Sequence, residues 1–91
     1  MSEAELTNYW DNKARDFLIG KRIKYARYQT LDEAQDMGWH DRGLVVWLED
    51  GSNFIVQRDD EGNGAGALNI ADATGNENIL PTLRSVGTRG L

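Results

Sequence analysis

The densest set of chemically capable side chains is an acidic, glycine-rich stretch, Asp59-Asp60-Glu61-Gly62-Asn63-Gly64-Ala65-Gly66. Asp59, Glu61, Asn63 and Gly64 fall at positions 1, 3, 5 and 6 of a calcium loop, whose position 12 supplies a bidentate glutamate. Here that residue is Ile70, so the strongest ligand is missing and no metal site is assigned. A phosphate-cradling reading of Gly62, Gly64 and Gly66 also fails. Neither Gly-x-Gly-x-x-Gly nor a Lys-Ser/Thr ending is present, and three adjoining carboxylates repel phosphate. What remains is a solvated connector in which Asp59, Asp60 and Glu61 repel one another unless a cation sits among them. The expected cation is Arg42, paired with Asp59 or Asp60, with Asn63 shaping the turn.

Catalytic chemistry finds little else to use. His40 is the single histidine, so no histidine relay or His-pair metal site can be assembled. Cysteine is absent, which removes thiolate nucleophiles, thiolate ligands and disulfides together. With no nucleophile motif beside His40 and Asp41, a non-enzymatic protein without catalytic residues or cofactors is expected. Two binding features are left. Lys21, Arg22, Lys24 and Arg27 interleave with Tyr25 and Tyr28, and charges with stacking rings are the equipment of a single-strand nucleic-acid binder. Strand alternation puts Tyr25 and Arg27 on the face of Ile23, which turns part of the cluster inward. Of the tryptophans, Trp10 and Trp47 lie in patterned segments that favour packing. Trp39, beside Asp41 and Arg42, is the candidate for a partly exposed contact residue.

These side chains must be held by a small set of elements. Ser2 and Glu5 form a capping box ahead of Leu6, Tyr9, Trp10, Ala14, Phe17 and Leu18, which predicts an amphipathic helix over about 3–19 closed by Gly20. Residues 21–29 change to strand alternation. Thr30 and Glu33 repeat the capping box for a short helix ending near Gly38. Leu44–Glu49 and Ser52–Gln57 flank Asp50-Gly51, a hairpin signal. A two-residue turn there opposes Trp47 to Phe54 and Val45 to Val56 on one face, with Val46 opposite Ile55 on the other. Short strands are expected at 67–71 and 79–84, with Pro81 at a strand start or edge. No internal repeat stands out.

The chain has 91 residues, 40% of them apolar and 27% charged, and one proline. That suits one small folded domain with a modest core. No apolar run is long enough to span a bilayer, and the acidic start is unlike a basic signal-peptide region, so a cytoplasmic protein is expected. Charge is uneven: residues 1–30 carry six Lys/Arg against four Asp/Glu, whereas 31–91 carry four against eleven. The net −5 argues against general attachment to nucleic acid or anionic membrane.

Arg27-Tyr28, Gly38-Trp39-x-x-Arg42, Leu48-x-Asp50-Gly51 and Asp59-Asp60-Glu61-Gly62-Asn63-x-x-Gly66-Ala67-Leu68 follow one another in order. Over residues 17–68 this string resembles a family of short bacterial and phage-associated proteins that has no assigned activity. The resemblance implies a small SH3-like barrel and no catalytic residues. The combined expectation is an α+β protein of one domain, residues 1–84: an SH3-like barrel or strongly bent antiparallel sheet at about 21–84, covered by the helix at 3–19, with a flexible tail at 85–91. Its expected role is a binding or assembly module of a bacterium or phage with an unidentified protein partner. The candidate interaction or structural site is Trp39, Arg42, Asp59, Asp60, Glu61 and Asn63. The alternative is a single-stranded nucleic-acid binder using Arg22, Lys24, Tyr25, Arg27 and Tyr28. A hairpin apolar on both faces, together with the helix stripe, leaves surplus apolar surface, which argues for a homodimer contact.

Overall fold

The computed structural model describes residues 1–84; the expected tail, 85–91, lies outside the described residues. In chain order the elements are α1 (Glu3–Leu18), β1 (Ile23–Tyr28), α2 (Leu31–Asp36), β2 (Asp41–Arg42), β3 (Leu44–Leu48), β4 (Asn53–Ile55), β5 (Leu68–Ala71), β6 (Glu77–Leu80) and β7 (Leu83–Arg84). The protein is α+β, with antiparallel strands throughout. A three-stranded sheet, β1-β3-β4, stands beside two two-stranded ladders, β2-β7 and β5-β6. No closed barrel forms among the described residues.

Both capping boxes are present. Ser2 Oγ accepts the Glu5 N–H at 3.1 Å while the Glu5 carboxylate accepts the Ser2 N–H at 2.8 Å, and Thr30 with Glu33 repeats the exchange at the same distances. Good capping does not give α1 a partner, however. No residue of α1 is buried, and Leu6, Trp10 and Phe17 are 48%, 59% and 66% exposed. The helix therefore does not cover the sheet as expected. Another element already does: Leu68 and Leu80, paired across the β5–β6 hairpin, pack on Leu44, Val46 and Leu48 together with Tyr28, Phe54 and Val56. That hairpin fills one face of the sheet, and the other, with Val45, Trp47 and Ile55, is left uncovered by α1.

The β3–β4 hairpin also departs from expectation, by one residue. Its pairs are Val45↔Ile55, Val46↔Phe54 and Trp47↔Asn53. Gly51 donates to the Leu48 carbonyl at 3.1 Å, Leu48 donates to the Ser52 carbonyl at 2.9 Å, and Gly51 has φ +94°. The loop is thus three residues, Glu49-Asp50-Gly51, a turn closed by a left-handed glycine instead of a two-residue turn. Asp50 holds this longer loop by accepting the Ser52 N–H at 2.9 Å and pairing with Lys21. A one-residue slip changes every face assignment. Phe54 and Val56 join the core with Leu44, Val46 and Leu48, whereas Val45 and Trp47 share the opposite face with Ile55.

The expected closing strand at 79–84 is two strands. Pro81, which has no N–H to give a ladder, separates β6 from β7; β6 pairs with β5 and β7 with β2. A local repeat appears as well. Asp59-x-x-Gly62-Asn63 and Asp72-x-x-Gly75-Asn76 build the same turn. In each, the aspartate Oδ1 accepts the N–H groups two and four residues on, and its carbonyl accepts from a glycine at positive φ.

Candidate functional site

The sheet face opposite the core is built by parity from β1 and β3. Tyr25 pairs with Trp47 and Arg27 with Val45, so all four side chains rise on one side, joined by Ile55 from β4. The Tyr25 and Trp47 rings lie 5.7 Å apart at 39°, and the Arg27 guanidinium carbon sits 4.8 Å from the Trp47 ring centre. A cation held on an aromatic face is attracted by the ring quadrupole. Trp47 is half-buried and separates two shallow depressions. One, of about 400 Å³, has Met37, Val45, Trp47 and Ile55 as apolar lining with Glu33, Asp36 and Asn53 among its polar groups. The other, of about 450 Å³, is lined by Lys24, Tyr25, Arg27 and Trp47 with residues of the hairpin loop.

The Arg27 geometry is set from α2. Its Nη1 and Nη2 meet the two Glu33 carboxylate oxygens at 2.7 and 2.9 Å, and Nη1 also donates to the Tyr28 carbonyl at 2.8 Å. Glu33 accepts the Thr30 N–H as well, so one carboxylate caps α2 and clamps the arginine. The bidentate hydrogen bonds from Arg27, followed by the Thr30 N–H, push Glu33 down to about 2 from an ordinary 4.5. Arg27 is raised in turn, chiefly by the hydrogen bonds to Glu33.

Beneath this face lies Gln29, 2% exposed. Its Oε1 accepts the Gly43 N–H at 2.7 Å, its Nε2 donates to the Met37 Sδ at 3.2 Å, and its own N–H donates to the Gly43 carbonyl at 2.8 Å. The end of β1 is thereby tied to both the α2 C-terminus and the entry to β3.

The expected acidic-loop site takes a different form. Trp39 is not a surface contact residue: it is 4% exposed, and its indole N–H donates to the Gly62 carbonyl at 2.8 Å. The ring is a peg that holds the loop, and its burial follows from the Trp39 N–H bonding the Ala34 carbonyl at the end of α2. Arg42 does not reach Asp59 or Asp60; its Nε donates to the Arg84 carbonyl at 3.2 Å, because β2 pairs with β7. Arg27 is engaged with Glu33 instead. The nearest arginine to the loop is Arg58, a loose 3.9 Å from Asp59. Asp59 turns inward on its own turn, accepting from the Glu61 and Asn63 backbones and from the Asn63 side chain at 3.0–3.1 Å. These bonds, led by Asn63, lower its pKa. Asn63 also donates to Glu61 at 3.1 Å, while Asp60 is exposed. Among the described residues, no group of three or more histidine and carboxylate side chains stands ready to hold a metal.

The basic-aromatic set is divided by the sheet. Tyr25 and Arg27 lie on the Trp47 face, whereas Tyr28 packs on the core and its hydroxyl donates to the Pro81 carbonyl at 2.8 Å. Lys21 pairs with Asp50 and Arg22 with Glu49 at 3.5 Å; Lys24 has no carboxylate partner among the described residues.

Sequence reasoning missed Trp47, Glu33, Met37 and Gln29 as parts of one face. Arg27 and Glu33, six residues apart across a strand-to-helix break, carried a signal, as did the alternation of Tyr25 and Arg27. Gln29 carried none. Among the described residues, no helix is long and apolar enough to cross a membrane. Comparisons of the chain with protein-family models, with curated proteins and with solved structures find no match.

Proposed function

We propose that this protein is a non-enzymatic binding module whose Trp47 face receives a segment of a partner protein presenting a basic side chain beside an apolar one. The observation that carries the reading is the depression between Trp47 and Met37. Its apolar lining suits the aliphatic stem of a lysine or arginine, and Asp36, which has no ion-pair partner among the described residues, offers its carboxylate to the charged head. Arg27 already uses this face in the same manner, with its guanidinium on Trp47 and its charge on Glu33. The fold fits an open relative of the small SH3-like barrels, and the motif string supports a place among short bacterial and phage-associated proteins.

The nucleic-acid alternative has less support. Lys21, Arg22 and Arg27 are already paired with carboxylates, and Tyr28 is turned to the core. Three peptide pools of one length, enriched in basic, neutral or acidic residues among apolar ones, separate the readings when titrated while Trp47 is followed by NMR. Binding by the basic pool, lost in Asp36→Lys and in Trp47→Ala, is expected. Binding by oligo-dT and by no peptide pool would overturn it in favour of the alternative.

A further inference from the structure

Residues Leu6, Tyr9, Trp10, Ala14, Phe17 and Leu18 make a continuous apolar stripe along the 16 residues of α1, and none of them is buried. A helix of this length is marginal by itself in water, and helices in proteins gain most of their stability by packing such a stripe. We infer that the stripe of α1 packs antiparallel against the same stripe of a second copy of this chain. Three observations favour that occupant.

The first is shape and area. The stripe runs the roughly 24 Å of a 16-residue helix, and a second α1 matches it along its full length. The five large side chains are 46–66% exposed. They offer on the order of 600 Å² per copy, approaching the ~800 Å² per partner of a stable interface. The second is charge along the helix. Glu3 and Glu5 stand in the first turn and Arg15 in the last. Asp16 leaves the last turn formally neutral beside Arg15. An antiparallel pair therefore sets each acidic first turn against a neutral end carrying an arginine and also opposes the helix dipoles, whereas a parallel pair sets the two acidic first turns side by side. The third concerns the other occupants. The helix carries four carboxylates against Lys13 and Arg15, so an anionic lipid surface repels it. The core face of the chain's own sheet is filled by the β5–β6 hairpin, and on the Trp47 face Arg27 lies over the Trp47 ring.

The test uses the full chain. Light scattering after size exclusion at about 50 µM should give a mass of about 20 kDa, twice the 10.2 kDa of the chain. Trp10→Glu and Phe17→Glu, both at exposed positions, should each weaken association at least tenfold while leaving the sheet's NMR shifts in place. Arg15→Glu should weaken it less, with the loss reduced at high salt. A 10 kDa species at that concentration overturns the inference. So does a dimer unaffected by either glutamate variant, which would place the contact elsewhere. A monomer that partitions into anionic or neutral vesicles also overturns it, in favour of lipid.

Discussion

Replacing Gln29 with methionine tests whether the buried amide holds the two halves of the fold together. The variant keeps the length of the side chain and removes its acceptor. Gly43 is buried, and a Cβ there would stand 3.0 Å from the Val56 carbonyl oxygen, so the site is too tight for easy rearrangement. The Gly43 N–H therefore loses its 2.7 Å partner without a substitute. Stranding a buried neutral donor costs roughly 1–3 kcal/mol, and the lost contact from Nε2 to a thioether adds little. Greater apolar burial by methionine returns about 0.8 kcal/mol for a methylene-sized gain. The net expectation is a loss of about 1 kcal/mol, or a fall in Tm of about 4–8 °C for a domain of this size. Urea and thermal unfolding, followed by far-ultraviolet circular dichroism, measure it. Gln29→Glu sharpens the test, because its protonated form keeps an acceptor near Gly43 while its ionised form buries a charge, Arg27 being committed to Glu33. A raised carboxyl pKa penalises folding above the group's ordinary value and not below it. That variant should be weaker than Gln29→Met at pH 7 and close the gap as pH falls toward about 5. A Gln29→Met protein within about 0.5 kcal/mol of the parent would refute the reasoning, as would a Gln29→Glu deficit that ignores pH.

Gly66→Ala should lower stability by about 2 kcal/mol or more on chemical denaturation, because a Cβ there would lie 2.7 Å from both the carbonyl carbon and oxygen of Gln57, backbone atoms with little freedom to retreat; an unchanged midpoint would mean that the strand entry relaxes freely. Acid should unfold the protein through carboxylates that it holds ionised. Glu33, at about 2 in the folded protein against an ordinary 4.5, contributes stability that is complete above about pH 4.5 and is lost as pH falls through 2, since the unfolded chain binds the proton first. Asp50, Asp59 and Asp72 are also lowered, the first mainly by the Lys21 hydrogen bond, and act in the same direction. Thermal midpoints measured between pH 6 and 2 should fall less steeply in Glu33→Gln than in the parent, and equal slopes would count against the Arg27 clamp.

Local rules carried the sequence reading wherever a single segment decides the outcome. Ser2 with Glu5 and Thr30 with Glu33 each place a helix start, because the capping bonds close within four residues. The hairpin was legible as a hairpin but not in its faces. Asp50-Gly51 serves a two-residue or a three-residue loop equally well, and the three-residue form places Asp50 beside Lys21, 29 positions away. Because strand side chains alternate, that one residue moved Trp47 from the expected core face to the open face. Trp39 was misread for a related reason: its neighbours in sequence are charged, yet its partners are Ala34 and Gly62, and only the fold brings them to it. The Asp-x-x-Gly-Asn turn stands twice in the sequence, at Asp59 and Asp72, and its five-residue span is not that of a calcium loop.

The motif string running from Arg27 to Leu68 falls mostly on positions that build the scaffold. Gly38, Gly51 and Gly62 have positive φ, and Gly66 has no room for a side chain. Trp39 pegs the loop that Asp59 and Asn63 fold, and Leu48 and Leu68 lie in the core. Of the string, Arg27, Leu48 and Gly51 line the depression that Trp47 shares with Lys24, where Arg27 is locked by Glu33, and none lines the depression between Trp47 and Met37. On the proposed binding reading, the side chains that would meet a ligand, Tyr25, Asp36, Met37, Trp47 and Asn53, stand outside the string. The turns, the peg and the buried amide that hold the scaffold draw on neither the Asp36 nor the Asn53 side chain for their hydrogen bonds. On this argument, exchanging Asp36 and Asn53 together should change what the face binds while leaving the unfolding midpoint near that of the parent, whereas Met37, which accepts from the buried Gln29 amide, belongs to both face and scaffold. A large loss of stability in that double variant would show that face and scaffold are not separable.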